Sequence, residues 1–317
     1  MSSKVEQLLS SAESQDIFKS PDLVKVTHKK PYGEVSPTRP ELSQAGRTVL
    51  ITGGNSGIGY AAALAFGQAG ASRVIITGRR AEATTEAAAM LSSQVSSDGN
   101  NNTQFIGVTN DIADPAAIES LWNDLEARSI SVDVLVLNAA RFSEAQGLLE
   151  RGIEAVWGDY NVNVRAQLHM AEKFYKQRAV ATTGKTQKFL VMVSSAAIHL
   201  WAANDPYPSY GLTKNAGSLA MQLIAREADP EQMQIVSYHP GAVFTDAAKR
   251  AGAKEDTLDY TDVNLSGQFA VWAASKQANF LHGRYVWAEW DVNELKNLRE
   301  RLEKDDNLLR IGVHGFE

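Results

Sequence analysis

The stretch RTVLITGGNSGIGYAAALAF, residues 47–66, decides the fold. Arg47–Thr52 is apolar and β-branched, which predicts a buried strand, and Tyr60–Phe66 has the pattern of a helix. Between them, Gly53 permits a tight turn, Gly57 lets backbone N–H groups approach a pyrophosphate, and Gly59 lets helix and strand pack closely. The positive end of the helix would face the phosphates. The stretch therefore predicts the first unit of a dinucleotide-binding fold.

Strand-like and helix-like segments alternate along the rest of the chain. Further strands are predicted at Arg73–Thr77, Phe105–Thr109, Val132–Leu137, Lys188–Val193, Gln234–Tyr238 and Gly283–Ala288. Helices are predicted at Ala81–Leu91, from Asp114 onward, and at Gly152–Gln177, Ser209–Glu227, Asp262–Ala274 and Glu294–Glu303. The alternation predicts an α/β fold with a single Rossmann-like, doubly wound parallel sheet of about seven strands and helices on both faces. We expect residues 47–317 to form one catalytic domain that includes the C-terminal tail, and residues 1–46 to form an extended N-terminal arm.

The composition argues against several classes of protein. A net charge of −6 without a basic cluster argues against a nucleic-acid binder. The chain has no cysteine, which excludes disulfides, thiolate metal sites and cysteine catalysis, and no metal site is predicted. The first ten residues are too polar for a signal peptide, and no stretch approaches the ~18–20 apolar residues of a membrane span. We therefore expect a cytoplasmic protein with neither a nucleic-acid nor a membrane partner.

Tyr210 and Lys214 stand four residues apart in a predicted helix, downstream of Ser195 at the end of an apolar run. Positions four apart share one helix face, so the Lys214 ammonium can lie beside the Tyr210 phenol. The cation favours the phenolate and would lower the pKa of Tyr210 from its usual ~10. Such a phenol serves as a general acid/base for a carbonyl/alcohol pair. Ser195 and the glycine turn both follow predicted strands, and ligands bind at the carboxyl ends of strands in such sheets.

These motifs follow one another in the order of a known family. They are Thr52-Gly53-x-x-x-Gly57-Ile58-Gly59, Asn138-Ala139-Ala140, Asn163, Ser195, Tyr210-x-x-x-Lys214 and Pro240-Gly241. Together they resemble the compact branch of the short-chain dehydrogenase/reductase family, over roughly Arg47 to Trp290. The chain departs from the family at Ala140, where members usually have glycine. The segments His28–Leu42 and Gly283–Asp291 resemble a group of fungal members.

The resemblance implies roles for four catalytic candidates, Asn163, Ser195, Tyr210 and Lys214. Tyr210 would donate a proton to the substrate oxygen, while the Ser195 hydroxyl orients that oxygen. Lys214 would hold the nicotinamide ribose. Asn163 would position a water in a proton relay, with Asn161 as the competing choice. Family members place the active serine second in such a pair, which favours Ser195 over Ser194.

The resemblance also implies a set of cofactor contacts along the carboxyl edge of the sheet. Asp111 would meet the adenine, Asn138 the adenosine side of the pocket, and Thr245 the nicotinamide carboxamide. The full predicted set is Gly53, Asn55, Ser56, Gly57, Ile58, Gly59, Arg79, Asp111, Asn138, Tyr210, Lys214, Pro240, Gly241, Val243 and Thr245.

Arg79 indicates which nicotinamide cofactor is preferred. The second predicted strand is followed by Arg79 and Arg80, without the carboxylate that usually binds the ribose hydroxyls of NAD. A guanidinium can bind a 2′-phosphate through two hydrogen bonds, whereas an acid would repel it. Asn55 and Ser56 could add hydrogen bonds to the same phosphate. We therefore expect NADP(H) to be preferred over NAD(H); the alternative is that the two arginines form a solvated helix start.

The predicted function is an NADP(H)-dependent carbonyl reductase. Four aromatic residues, Phe142, Trp201, Tyr207 and Phe244, would form an apolar pocket for a hydrophobic ketone, aldehyde or secondary alcohol, under a lid at Lys249–Thr261. The alternatives are an NAD-dependent alcohol dehydrogenase working oxidatively and a non-catalytic dinucleotide-sensing or scaffold protein. The resemblance further implies a homodimer or homotetramer, and the fungal likeness suggests secondary metabolism or xenobiotic carbonyl reduction.

Overall fold

Seven strands lie in the residues that the computed structural model describes, which are 23–96, 102–177, 187–250, 253–256 and 258–313. They are β1 (Thr48–Thr52), β2 (Arg73–Gly78), β3 (Gln104–Thr109), β4 (Val134–Leu137), β5 (Lys188–Val193), β6 (Met233–His239) and β7 (Arg284–Trp287). They pair in parallel in one sheet of order β3-β2-β1-β4-β5-β6-β7. The strand order reverses between β1 and β4, so the predicted doubly wound parallel sheet is confirmed.

Helices connect the strands and cover both faces of the sheet. They are α1 (Gly57–Gln68), α2 (Ala81–Ser96), α3 (Pro115–Ala127), α4 (Leu148–Arg151), α5 (Ile153–Tyr160), α6 (Ala166–Lys176), α7 (Pro208–Glu227), α8 (Asp246–Arg250), α9 (Val263–Ala273), α10 (Val292–Asn297) and α11 (Arg299–Lys304). The single helix predicted over Glu294–Glu303 is instead the pair α10 and α11, because Leu298 has a ψ of −3° and interrupts the helical backbone between them. Within the described ranges, no helix is both long and apolar enough to cross a membrane.

The sheet is buried on both faces, because alternate residues of each strand enter two separate cores. Val49 and Ile51 of β1 belong to one hydrophobic cluster, together with Phe269 of α9. Leu50, between them, belongs to the other cluster, together with Met221 of α7. The near-continuous apolar strands of the sequence are thus explained by helices on both sides. The polar residues of the predicted site follow the carboxyl ends of the strands, outside these two cores.

The helix predicted over Gly152–Gln177 contains a π-helical turn. α5 and α6 are joined by five residues, Asn161–Arg165, with π-helical hydrogen bonding. This turn was not predicted, since apolar spacing distinguishes helix from strand but not one helical form from another. Such turns are rare and occur frequently at functional sites. Here the turn lies against α7: a Cβ on Gly217 would lie 2.7 Å from the Asn163 carbonyl oxygen.

Residues 23–46 pack against the C-terminal part of the chain. Thr27 forms an antiparallel bridge with Trp290, and the Tyr32 hydroxyl donates to the Trp290 carbonyl oxygen at 3.2 Å. Val35 and Leu42 are fully buried in the hydrophobic cluster that contains Phe269. The described part of the predicted arm therefore contributes to the core; residues 1–22 of that arm lie outside the described residues.

Candidate active site

The turn between β1 and α1 has a backbone that requires its glycines. Gly53 and Gly57 have φ angles of 66° and 54°, in the left-handed region that favours glycine. A Cβ on Gly59 would lie 2.3 Å from the Gly53 carbonyl oxygen, whereas a Cβ on Gly57 would meet only the Thr245 side chain, at 3.5 Å. The N-cap residue Ser56 makes no side-chain hydrogen bond to the helix. The first N–H groups of α1 therefore have no side-chain cap from Ser56, and such groups are the ones that bind phosphate at a helix N-terminus.

Asn138 supports this turn from the end of β4. Its side-chain amide donates to the carbonyl oxygens of Thr52 and Gly53 at 2.9 and 3.1 Å. The backbone N–H groups of Asn138 and Ala139 each donate to Thr52 Oγ1 at 3.0 Å. The methyl group of Ala140, where the family usually has glycine, points to an exposed position and leaves these bonds in place. Asn138 thus fixes the glycine turn, in addition to its predicted position beside the adenosine.

Arg79 and Asn55 lie together at the end of β2. Arg79 is exposed, and among the described residues it has no carboxylate partner. A Cβ on Gly78 would lie 2.7 Å from Asn55 Oδ1, so the Asn55 amide lies beside Gly78, one residue before Arg79. Asp111, after β3, is also exposed, and its carboxylate accepts from the N–H of Ala113 at 3.0 Å. The Arg79 guanidinium is therefore available to bind an anion.

Thr245 lies over the glycine turn, in the segment that follows β6. Its side chain is the group that approaches Gly57, and its N–H donates to the Val243 carbonyl oxygen at 2.9 Å. Gly241 has a φ of 89°, and a Cβ there would lie 2.4 Å from the Thr261 hydroxyl. The segment after β6 and the turn after β1 therefore meet at one edge of the sheet. Of the remaining predicted cofactor residues, Pro240 is buried, whereas Ile58 and Val243 are partly buried.

Ser195 and Tyr210 meet beyond the end of β5. Ser195 is the N-cap of a short 3-10 helix, Ala196–Ile198, and its hydroxyl accepts a capping hydrogen bond at 3.2 Å. Tyr210 lies in the first turn of α7, and its phenol hydrogen-bonds with the Ser195 hydroxyl. Ser194 is buried instead against Ser218, with 2.6 Å between the two hydroxyl oxygens. This geometry favours Ser195 over Ser194 as the partner of the phenol.

Lys214 lies one helical turn after Tyr210, but its ammonium donates elsewhere. Its Nζ donates to the Val193 carbonyl oxygen at 2.6 Å, and burial lowers the pKa of Lys214 to about 8. Burial raises the pKa of Tyr210 to about 12, against the opposing effect of its hydrogen bond with Ser195. The prediction that Lys214 lowers the pKa of Tyr210 is therefore wrong for this structure, because the cost of burying the phenolate outweighs its favourable interactions.

Asn163 ties the loop after β4 to α7. Its Oδ1 accepts from the N–H of Arg141 at 2.7 Å, and its Nδ2 donates to the Arg141 carbonyl oxygen at 2.9 Å. Nδ2 also donates to Thr213 Oγ1 at 2.9 Å, one residue before Lys214. Asn163 is fully buried, whereas Asn161 is only partly buried. The Asn163 side chain therefore holds the loop after β4 against α7, and its role in a water relay stays a prediction.

Phe142 and Tyr207 form an aromatic wall beside Tyr210. The Phe142 ring centroid lies 4.6 Å from each of the rings of Tyr207 and Tyr210. Phe244 packs on Tyr260 at 5.0 Å, and Trp201 is 83% exposed. Of the four predicted aromatics, Phe142 thus contacts the Tyr210 ring and Tyr207 contacts Phe142. The predicted lid falls partly on residues outside the described ones, and its first residues belong to α8.

Two buried side chains that the sequence analysis did not single out reach the turn after Ser195. The Tyr285 hydroxyl donates to the Ser195 carbonyl oxygen, and His239 Nδ1 accepts from the N–H of Ala196, both at 3.1 Å. The available signals were indirect: His239 immediately precedes Pro240 at the end of a predicted strand, and Tyr285 lies within the next one. Neither signal points to a serine on a different strand.

The arrangement can move a proton to or from an oxygen atom. Hydroxyl groups of Ser195 and Tyr210 converge at the strand ends, and the cationic side chain of Lys214 lies one turn away. Within the described ranges, no group of three or more histidine, aspartate or glutamate side chains is placed to hold a metal ion. A hydrogen-bonded pair of hydroxyl groups is suited to general acid/base chemistry on a carbonyl or alcohol.

Comparison with known proteins identifies the family. The sequence model of the family described as short chain dehydrogenase matches residues 47–256. The chain belongs to the short-chain dehydrogenase family. Short chain dehydrogenase/reductase AacuD of Aspergillus aculeatus is 33% identical to it over 290 residues, which are 90% of this chain and 94% of that protein. A short chain dehydrogenase/reductase of Claviceps purpurea is 34% identical over 296 residues, or 92% and 94% of the two chains. The predicted family and its fungal likeness are confirmed.

Solved structures share the fold of this short-chain dehydrogenase. A short chain dehydrogenase from Shigella flexneri, complexed with NADP, has a TM-score of 0.66 at 20% identity and covers 79% of this chain and 99% of its own. The structure of 7α-hydroxysteroid dehydrogenase, complexed with NADH and 7-oxo glycochenodeoxycholic acid, has a TM-score of 0.67 at 19% identity and covers 82% and 97%. At these identities the likeness concerns the fold alone.

Proposed function

We propose that this short-chain dehydrogenase is an NADP(H)-dependent oxidoreductase that reduces the carbonyl of a hydrophobic small molecule to an alcohol. The observation that carries the proposal is the hydrogen-bonded pair of Ser195 and Tyr210 at the carboxyl edge of the sheet, one helical turn from Lys214. The family establishes an oxidoreductase; the direction, the cofactor and the substrate class are proposed here from the site.

Each catalytic side chain has a separate task in this reaction. The cofactor, when bound, supplies a hydride to the carbonyl carbon, and negative charge grows on the oxygen. The Ser195 hydroxyl donates a hydrogen bond that orients this oxygen, and the Tyr210 phenol gives up its proton to it. Because burial raises the pKa of Tyr210 to about 12, the phenol is protonated at neutral pH and ready to donate. Lys214 is proposed to hold the nicotinamide ribose, and Asn163 to hold a water that returns the proton.

The residues around the glycine turn fit a phosphorylated dinucleotide. The open side of Gly57 and the first N–H groups of α1 would hold the pyrophosphate. The unpaired Arg79 guanidinium would bind a 2′-phosphate, which supports NADP(H) over NAD(H). Asp111 is proposed to meet the adenine and Thr245 the nicotinamide carboxamide.

The aromatic wall supports a hydrophobic substrate. The Phe142 ring packs against the phenol that would donate the proton, and Tyr207 packs on the Phe142 ring, so a flat or polycyclic carbonyl compound could stack beside them. A sugar or another strongly hydrated substrate would gain little from such a wall.

We also propose that the protein forms a homodimer or a homotetramer. Leu168 and Tyr175 line a shallow cavity beside α6, and Leu223 of α7 is 52% exposed. Apolar side chains along two adjacent long helices are suited to pairing with a second copy. The mass of the full-length protein in solution tests this proposal; a monomer at micromolar concentration would contradict it.

Turnover with a carbonyl panel tests the proposed function. The panel holds aromatic and polycyclic ketones and aldehydes, assayed with NADPH and with NADH by loss of the reduced cofactor. We expect turnover that is faster at low concentrations of NADPH than of NADH. Tight NADPH binding without turnover of any member would favour the sensor alternative. Activity confined to NAD and secondary alcohols would favour the oxidative dehydrogenase.

A further inference from the structure

The peptide unit that joins Ser195 to Ala196 is hydrogen-bonded on both of its polar atoms by buried side chains. The Tyr285 hydroxyl, from β7, donates to the carbonyl oxygen of this unit at 3.1 Å. His239 Nδ1, at the end of β6, accepts from its N–H at 3.1 Å. The two side chains are only 6% and 5% exposed. One peptide plane, directly after the serine that contacts Tyr210, is therefore held from two separate strands.

Neither His239 nor Tyr285 changes its protonation state over the pH range in which an enzyme works, so both hydrogen bonds persist. Nδ1 can accept only when the His239 ring is neutral and carries its proton on Nε2. Burial, with smaller effects of His199, Lys29 and Lys214, lowers the pKa of His239 to about 3, so the ring is neutral. Burial raises the pKa of Tyr285 well above its usual value, so its hydroxyl remains a donor.

Aromatic packing fixes the two side chains themselves. The His239 and Trp287 rings meet edge to face, with their centroids 4.6 Å apart. The Trp287 indole N–H donates to His199 Nε2 at 3.2 Å, and the His199 ring meets the Tyr285 ring at 5.6 Å. Buried rings in contact with one another have little rotamer freedom. The cluster is therefore a rigid support behind the Ser195 turn.

We infer that Tyr285 and His239 are positioning residues that fix the Ser195 hydroxyl against the Tyr210 phenol. Rotation of the peptide plane after Ser195 would swing the serine backbone and displace its Oγ, which also caps the following turn at 3.2 Å. A displaced hydroxyl loses its alignment with the substrate oxygen, and misalignments of about 1 Å are costly in catalysis. The inference rests on the proposed function, since it assigns a task at the same site.

Tyr285→Phe and a matched control test the inference by kinetics. Tyr238 is a second buried tyrosine of the same sheet, and its hydroxyl donates to the Ser266 carbonyl oxygen, also at 3.1 Å. Loss of one aligning hydrogen bond should lower kcat of Tyr285→Phe about tenfold, with the Kd of NADPH unchanged. Tyr238→Phe removes an equivalent bond elsewhere and should leave kcat within about twofold. Equal kcat values for the two variants would overturn the inference.

Two further comparisons separate positioning from general destabilisation. In a Ser195→Ala background, Tyr285→Phe should change the residual rate less than about twofold, because the group that it positions is gone. An undiminished tenfold effect there would contradict action through Ser195. His239→Asn places an amide oxygen near the position of Nδ1 and should retain more activity than His239→Leu; equal loss in the two would contradict the His239 half of the inference.

Amide hydrogen exchange tests the same contacts without a substrate. Tyr285→Phe and His239→Leu should each raise the exchange rate of the Ala196 amide about tenfold, and Tyr238→Phe should leave it unchanged. Faster exchange at Ala196 in a protein that turns over no carbonyl would uphold the positioning and refute the proposed function. Unchanged exchange at Ala196 in an enzyme that reduces a carbonyl would refute the positioning and uphold the proposed function.

Discussion

The segment before β1 offers a sharp test of how the chain is held together. Lys29 Nζ pairs with Glu289 Oε1 at 2.6 Å, and the same carboxylate oxygen accepts from the Thr261 hydroxyl at 2.6 Å. The Glu289 side chain is only 5% exposed, and that of Lys29 is 39% exposed. Lys29→Met keeps most of the aliphatic stem and removes only the charge. Of its two partners named above, the buried Glu289 carboxylate then keeps only the Thr261 hydroxyl.

The exposure of Lys29 sets the expected magnitude. Breaking a fully buried ion pair by removing one partner costs about 3–5 kcal/mol. Water reaches the ammonium here, so we expect the free energy of unfolding to fall by about 2 kcal/mol. In a chain of this size that corresponds to a Tm lower by roughly 3 °C. Thr261 also packs directly against Gly241, so the affinity for NADPH should weaken along with the stability.

Thermal and urea unfolding of wild type and variants measure the effect. Lys176→Met is the matched control, because Lys176 pairs with Glu172 at 2.5 Å but the two side chains are 66% and 52% exposed. An exposed pair contributes about 0.5 kcal/mol, so its Tm should move by no more than about 1 °C. The double variant Lys29→Met/Glu289→Gln should recover part of the loss, since no buried charge remains. Equal Tm shifts in Lys29→Met and Lys176→Met would refute the reasoning.

Three further predictions concern the candidate site. Arg79→Glu should raise KM for NADPH at least tenfold while KM for NADH changes little; parallel changes would rule out 2′-phosphate binding. Gly59→Ala should abolish detectable cofactor binding in titration calorimetry, because its Cβ would lie 2.3 Å from the Gly53 carbonyl oxygen, and near-normal affinity would contradict that clash. Burial lowers the pKa of Lys214 from 10.5 to about 8. Between these two pH values the folded state binds fewer protons than the unfolded state, so the stability rises with pH. The cost of burying the charged Lys214 is therefore greatest below pH 8. Lys214→Met should therefore be inactive, and the stability of wild type relative to it should rise between pH 8 and 10.5 in urea titrations; a difference that falls or stays flat would contradict the burial argument.

The sequence predicted the fold because its signals are local. The apolar runs of β1 and β4 imply a sheet covered on both faces, and the glycine turn places a helix directly after β1. The four-residue spacing of Tyr210 and Lys214 similarly placed them one turn apart on α7. Each of these inferences needs only residues that are neighbours along the chain.

The remaining features of the site depend on contacts between distant segments. The hydrogen bond from Tyr285 to Ser195 spans 90 residues, and the one from Ala196 to His239 spans 43. The raised pKa of Tyr210 likewise results from burial, which spacing along a helix does not reveal. The π-helical turn that carries Asn163 is held against another helix. No local pattern encodes such contacts, so the structure was needed to find them.

The kinetics of Tyr210→Phe test the central claim most directly. The variant keeps the ring that packs at 4.6 Å against Phe142 and removes only the hydroxyl that would donate the proton. With NADPH and an active carbonyl substrate, we predict that kcat falls about 10²–10⁴-fold while the Kd of NADPH stays within about twofold of wild type. A variant that binds NADPH normally and keeps more than about a tenth of the wild-type kcat would contradict the account.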